Sequence, residues 1–151
     1  MNNLDFLDCA KQLLRQQTTL NEVNARSSIS RAYYCLYHES FDFLLLKYRN
    51  KFLKSIKSNT SPEKLIDIDI NLLNCLDKSY LKTLDLNFYA IIFRTFQSLC
   101  VKYFQAIAKD FKEFRLKRND ADYDLDQYFD KEDANAIVIN IEKIISTLKN
   151  K

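Results

Sequence analysis

The single histidine of this chain, His38, stands seven residues after Arg31 in the run Ser30-Arg31-Ala32-Tyr33-Tyr34-Cys35-Leu36-Tyr37-His38. At about 100° per residue, a seven-residue step along a helix returns to within about 20° of its start. A helix therefore lines Arg31, Tyr34 and His38 along one face. A guanidinium, a phenol and an imidazole in that order can hold an anion or a nucleotide. The same trio can also be a satisfied polar network, with Arg31 paired to a carboxylate. A second cluster, Arg118-Asn119-Asp120-Ala121-Asp122-Tyr123-Asp124, has a similar double reading. Arg118 can pair with the carboxylates beside it, and Asn119 can end a helix by bonding nearby backbone.

Composition removes many other chemistries. There is no glycine, so the chain has neither a phosphate-cradling P-loop nor a dinucleotide fingerprint, both of which need backbone without a Cβ. The tight hairpin turns that require positive φ are disfavoured for the same reason. Cys9, Cys35, Cys75 and Cys100 are far apart, and with one histidine they offer no spacing for a zinc site. They read as small buried hydrophobes. No metal and no cofactor is expected. The opening MNNLDFLDCAKQLLR carries acids and lacks the apolar core of a secretory signal. No run of about 18 apolar residues exists to span a membrane. A reduced, cytoplasmic setting is the expectation.

Net charge is +3, but it is unevenly spread. Lys47, Arg49, Lys51, Lys54 and Lys57 form a run without acids, and Lys102–Arg118 is mostly basic. Asn119–Asp133 then holds seven acids against Lys131. Such blocks are ordinarily solvated faces; they also suit a polyanion on one side and a basic partner on the other.

The elements that must position these residues are helices. Apolar residues recur at threes and fours, with one proline, Pro62, to interrupt them. The spacing predicts helices over 3–17, 22–48, 62–80, 86–117 and 131–149, with Thr18, Thr19 and Asn21 as a polar break. Arg49–Thr60 reads as a basic loop or a frayed extension of the second helix, and Arg118–Asp130 as an acidic link. Ser61 before Pro62 is a helix entrance, and Asp130 is an N-cap. Ile66-Asp67-Ile68-Asp69-Ile70 alternates like a strand but has no partner strand, so it is kept helical. The result is an all-α antiparallel bundle of about five helices in one domain, 1–151. On the second helix Tyr34, Phe41 and Leu45 face away from Ile29 and Leu36, which predicts a homodimer through that helix, through the expected helix 86–117, or through both.

Taken together, SISRAYYCLYH (Ser28–His38) and RNDADYD (Arg118–Asp124) resemble the motifs of the HEPN family, and they fall in the expected order and on the expected helices. The resemblance implies a small helical bundle, often dimeric, acting in a toxin–antitoxin or antiviral defence module beside a nucleotidyltransferase partner. Active members cleave RNA without a metal, using an Arg, the polar residue after it and a His further on. Here Arg118 and Asn119 match, but positions 123 to 125 hold Tyr123, Asp124 and Leu125. A phenol is a poor general base at neutral pH. The tyrosine that the partner enzyme modifies in some members corresponds to Leu125.

Three functions follow. The first is a nucleotide-, RNA- or partner-binding module, with Arg31, Tyr34, Asp122 and Tyr123 as ligand contacts. The second is a ribonuclease in which His38 joins Arg118 and Asn119, which requires Arg31, His38, Arg118 and Asn119 to converge on one cleft. The third is a helical dimerisation scaffold.

Overall fold

The computed structural model describes residues 2–16 and 21–151; of the expected polar break, Thr18 and Thr19 lie outside them, and Asn21 is already helical. Helix makes up 82% of the described residues, with no strand among them. Nine helices are described rather than five: α1 (Asn3–Arg15), α2 (Asn21–Lys47), α3 (Arg49–Ser58), α4 (Pro62–Asp67), α5 (Ile70–Cys75), α6 (Lys78–Thr83), α7 (Phe88–Ser98), α8 (Lys102–Tyr123) and α9 (Lys131–Lys149). They gather into two compact units. The first comprises Met1–Ser40 with Lys109–Lys151, and the second is Phe41–Ala108.

In the first unit, α1 opens on a capping box. The Asn2 side chain accepts from the Leu4 N–H at 3.2 Å, and Asp5 answers by accepting from the Asn2 N–H at 2.8 Å. The apolar face of α1 (Leu7, Ala10, Leu14) packs on α9, and Lys11 and Glu142 form an ion pair beside it. Helix α9 has the expected bounds. Asp130 caps it by accepting from the Asp133 N–H at 2.7 Å. Its buried stripe is centred on Val138, Ile141, Ile145 and Leu148. Ile29 and Leu36 of α2 and Phe111 of α8 complete the core, with Phe111 5.6 Å from the Tyr33 ring.

The second unit departs furthest from the expected elements. Arg49–Thr60 is neither a loop nor a frayed extension of α2: the separate helix α3 fills most of it, because Phe52 and Ile56, one turn apart, bury against α7. Tyr48 leaves helical geometry (φ −133°, ψ 47°), and its ring lies 5.5 Å from that of Phe104. The Arg49 side chain then donates to the Leu45 carbonyl at 3.3 Å, an acceptor near the end of α2. The expected helix 62–80 is three short ones. Ile68 and Asp69 are extended, and Asp69 and Asp77 each restart the chain as an N-cap. Leu76, in the left-handed region at φ 49°, turns the chain between α5 and α6. That conformation costs about 1–2 kcal/mol without glycine, and burial of the Leu76 side chain offsets it. The expected helix 86–117 breaks at Leu99-Cys100-Val101, where Ser, Cys and β-branched Val hold helix weakly. Phe41, expected on a dimer face, is instead covered inside this unit by Phe52 and Phe88, each with ring centroids at 5.3 Å.

The cysteines also differ from expectation. Cys35 is buried, but Cys75 and Cys100 are exposed and Cys9 is half-buried, because the helix breaks bring two of them to the surface. Burial, and then the Glu39 carboxylate, push the Cys35 thiol up to about 12, which keeps it out of the reactive thiolate form. A thiol-specific disulfide reagent added to the native protein is expected to label Cys75 and Cys100 quickly, Cys9 more slowly, and Cys35 only after denaturant. Four thiols reacting at one native rate would contradict this arrangement.

Candidate functional site

The two clusters meet in the first unit, where α2 and the last turns of α8 approach each other. Helix α8 runs on to Tyr123, so Arg118 through Tyr123 is helical rather than part of an acidic link. This matters for the site, because a helix puts Arg118 and Asp122 one turn apart on one face. Arg118 Nε lies 2.9 Å from Asp122 Oδ2. The contact is an ion pair whose alignment falls short of a hydrogen bond.

The Arg118 side chain is only 13% exposed. Its Nη2 donates to the Tyr34 hydroxyl at 2.5 Å, and its Nη1 donates to Asn119 Oδ1 at 3.1 Å. The guanidinium carbon sits 5.0 Å from the centre of the Tyr34 ring and 5.9 Å from that of Tyr123, within range for cation–π attraction. Asp122 Oδ2 also accepts from the Ser30 hydroxyl at 3.2 Å. The chain Tyr34–Arg118–Asp122–Ser30 thus stitches α2 to α8 at two points, and the largely covered Arg118 cation is answered by the Asp122 carboxylate.

In front of this network is a cleft of about 470 Å³. Its polar wall is Arg26, Ser27, Ser30, Arg31 and Tyr34 of α2 with Asp122 of α8, and Phe6, Val23 and Leu125 give it apolar edges. Arg31 is exposed and carries no ion pair among the described residues. Of the expected ligand contacts, Arg31, Tyr34 and Asp122 are on the wall. Tyr123 instead flanks Arg118.

The four residues that the ribonuclease reading needs together do not share this wall, since only Arg31 is on it. Arg118 and Asn119 stand behind Tyr34 and Asp122. His38 is a turn beyond Tyr34, stacked on Phe6 (5.7 Å, 19°) and edge-on to Tyr37 (5.0 Å). Phe6 also lies 6.2 Å from the Tyr34 ring, so one ring of α1 serves both. Among the described residues no group of His, Cys, Asp and Glu could hold a metal, and no helix is long and apolar enough to cross a membrane.

Ser30 stands in the Ser28–His38 motif, but nothing there marks its bond to Asp122. Two further contributors left less trace in the sequence: Phe6 carried no signal beyond amphipathic spacing. Arg26 carried none at all. Its guanidinium nevertheless donates to the carbonyls of Asp120 (3.2 Å), Ala121 (3.1 Å), Asp124 (2.9 Å) and Gln127. It also pairs with Glu22 at 3.1 Å and lies 5.3 Å from the centre of the Phe129 ring. A side chain of α2 thereby gathers carbonyls from the last turn of α8 and the segment after it, which holds Asp122 beside Ser30. Comparisons of the chain with protein-family models, curated proteins and solved structures found no match.

Proposed function

We propose that the chain is a HEPN-like binding module of a toxin–antitoxin or antiviral defence system, whose cleft takes the phosphate of a nucleotide or RNA. In this reading it acts as a homodimer beside a nucleotidyltransferase. The observation that carries the binding part is Arg31: a cation without a carboxylate partner among the described residues, on a wall that also presents the hydroxyls of Ser27, Ser30 and Tyr34. The one carboxylate on that wall, Asp122, is already answered by Arg118 and Ser30, so an incoming phosphate meets net positive charge. The rings of Tyr34 and Phe6 line the same cleft, where a base can pack beside them.

Binding is favoured over cleavage by the placement of the acid–base candidates. His38 packs against Phe6 and Tyr37 rather than on the cleft wall, and positions 123 to 125 supply no imidazole. Purified protein is expected to bind a fluorescent nucleoside triphosphate and to leave total RNA intact. Arg31→Ala should weaken that binding about 10- to 150-fold, the equivalent of one charge-assisted contact of about 1.5–3 kcal/mol. RNA cleavage that vanishes in His38→Ala would replace this reading with the ribonuclease. Absence of nucleotide binding would leave the scaffold. Light scattering that reports a monomer would remove the dimer while leaving the cleft.

A further inference from the structure

The second unit carries a surface that uses none of the cleft's residues. Helix α3 spends its apolar side, Phe52 and Ile56, on α7. Its outer side presents Arg49, Lys51, Lys54 and Lys57, all exposed. No carboxylate occurs between Lys47 and Thr60. None of these four cations, nor Lys47, is in an ion pair among the described residues.

Two of the cations are held in place without being neutralised. Arg49 Nη2 donates to the Cys75 carbonyl at 2.7 Å, and Lys57 Nζ donates to Asn74 Oδ1 at 2.9 Å. Both acceptors are uncharged, so the positive charge of each remains. Between them is a shallow depression of about 450 Å³ lined by Asn50, Leu53, Lys54, Lys57 and Ser58, with no acid. Like charges three residues apart on a helix disfavour it, and this helix keeps two such pairs, Lys51 with Lys54 and Lys54 with Lys57. The second unit as a whole has ten Lys and Arg against six Asp and Glu.

We propose that the outer face of α3 is a docking surface for a nucleic-acid backbone. Lysines at three-residue intervals climb about 4.5 Å per step. Their flexible stems can follow phosphates spaced about 3.4 Å apart along a strand's axis. Asn50 and Ser58 add neutral donors to phosphate oxygens. A membrane surface fits less well. An interfacial helix buries its apolar face in lipid, and here that face is occupied by α7.

The test measures anisotropy of a fluorescein-labelled oligouridine with the full chain between about 50 and 200 mM salt. The wild type should bind with affinity that falls steeply with salt. Lys51→Ala with Lys54→Ala should weaken binding about tenfold or more at low salt, and should flatten the log–log slope by about 1.4, at about 0.7 per phosphate contact on a single strand. Lys51→Arg with Lys54→Arg should retain both affinity and slope, and a thermal melt checks that the alanine pair stays folded. Nucleoside triphosphate binding should be unchanged in the alanine pair, which separates this surface from the cleft. An unchanged slope in the alanine pair overturns the proposal. So does binding to phosphatidylserine vesicles, lost in the alanine pair, by a protein that ignores oligouridine.

Discussion

Replacing Arg26 with alanine is expected to lower the melting temperature by about 6–12 °C, the largest loss of stability of any single change near the site. Its side chain is 13% exposed, and it donates to four backbone carbonyls across Asp120–Gln127 while pairing with Glu22. Each bond to a charged donor is worth about 1.5–3 kcal/mol in isolation. They share one guanidinium and are not additive, so a total near 3 kcal/mol is the reasonable figure. For a chain of this size about 2–4 °C accompanies each kcal/mol. Truncation also leaves Glu22 without this partner and removes a cation from beside the Phe129 ring. Arg26→Lys should recover less than half of the loss, because an ammonium is a point donor and cannot fork towards several carbonyls at once. A thermal melt decides the matter. A drop of less than about 2 °C in Arg26→Ala would mean that the carbonyls at the end of α8 are satisfied by water just as well.

Why Arg26 was invisible in the sequence explains what else was. Its carbonyl partners lie 94 to 101 residues away, and the neighbouring Glu22 does not mark an arginine that will reach across a fold. The same holds for the bond from Arg118 to Tyr34, 84 residues apart: each cluster was recognisable alone, and their meeting was not. Signals that act within a turn or two were legible. Asp130 with Asp133 and Ser61 with Pro62 set helix starts that the structure reproduces, because a cap needs only its own next three residues.

Breaks were harder to read. Unbroken apolar spacing continues through Leu99-Cys100-Val101 and hides the end of α7. In α3 the density of lysines masked the Phe52–Ile56 step that makes it a helix. At Ile68-Asp69 the alternating pattern did carry information: the backbone is extended there, and only the missing partner strand argued against taking it at face value. For the site, the residue types that could bind an anion were legible. Which of them face the cleft depended on packing of α1 and α8 against α2, and that placed Phe6 rather than Arg118 against His38.

Arg118→Ala is expected to cost about 2 kcal/mol of stability and also to weaken nucleoside triphosphate binding about 10- to 100-fold, although Arg118 is not on the cleft wall. It would act through Asp122. With the guanidinium gone, the Asp122 carboxylate keeps only the Ser30 hydroxyl and points its charge into a cleft meant for phosphate. The stability cost stays below that of a fully buried pair because the Asp122 side chain is 24% exposed. Asp122→Asn alone should bind the nucleotide at least as well as wild type, since it removes negative charge from the wall. The double variant, Arg118→Ala with Asp122→Asn, should therefore regain binding to within a few-fold of Asp122→Asn. It should stay less stable, because the Tyr34 hydroxyl still lacks the Arg118 donor. The cycle should give a coupling of about 1–3 kcal/mol in binding. A double variant that binds as weakly as Arg118→Ala would instead put the guanidinium in direct contact with the ligand. If the melting temperature falls in Arg118→Ala while nucleotide affinity stays at the wild-type value, the network is structural only, and Asp122 exerts no charge on anything bound in the cleft.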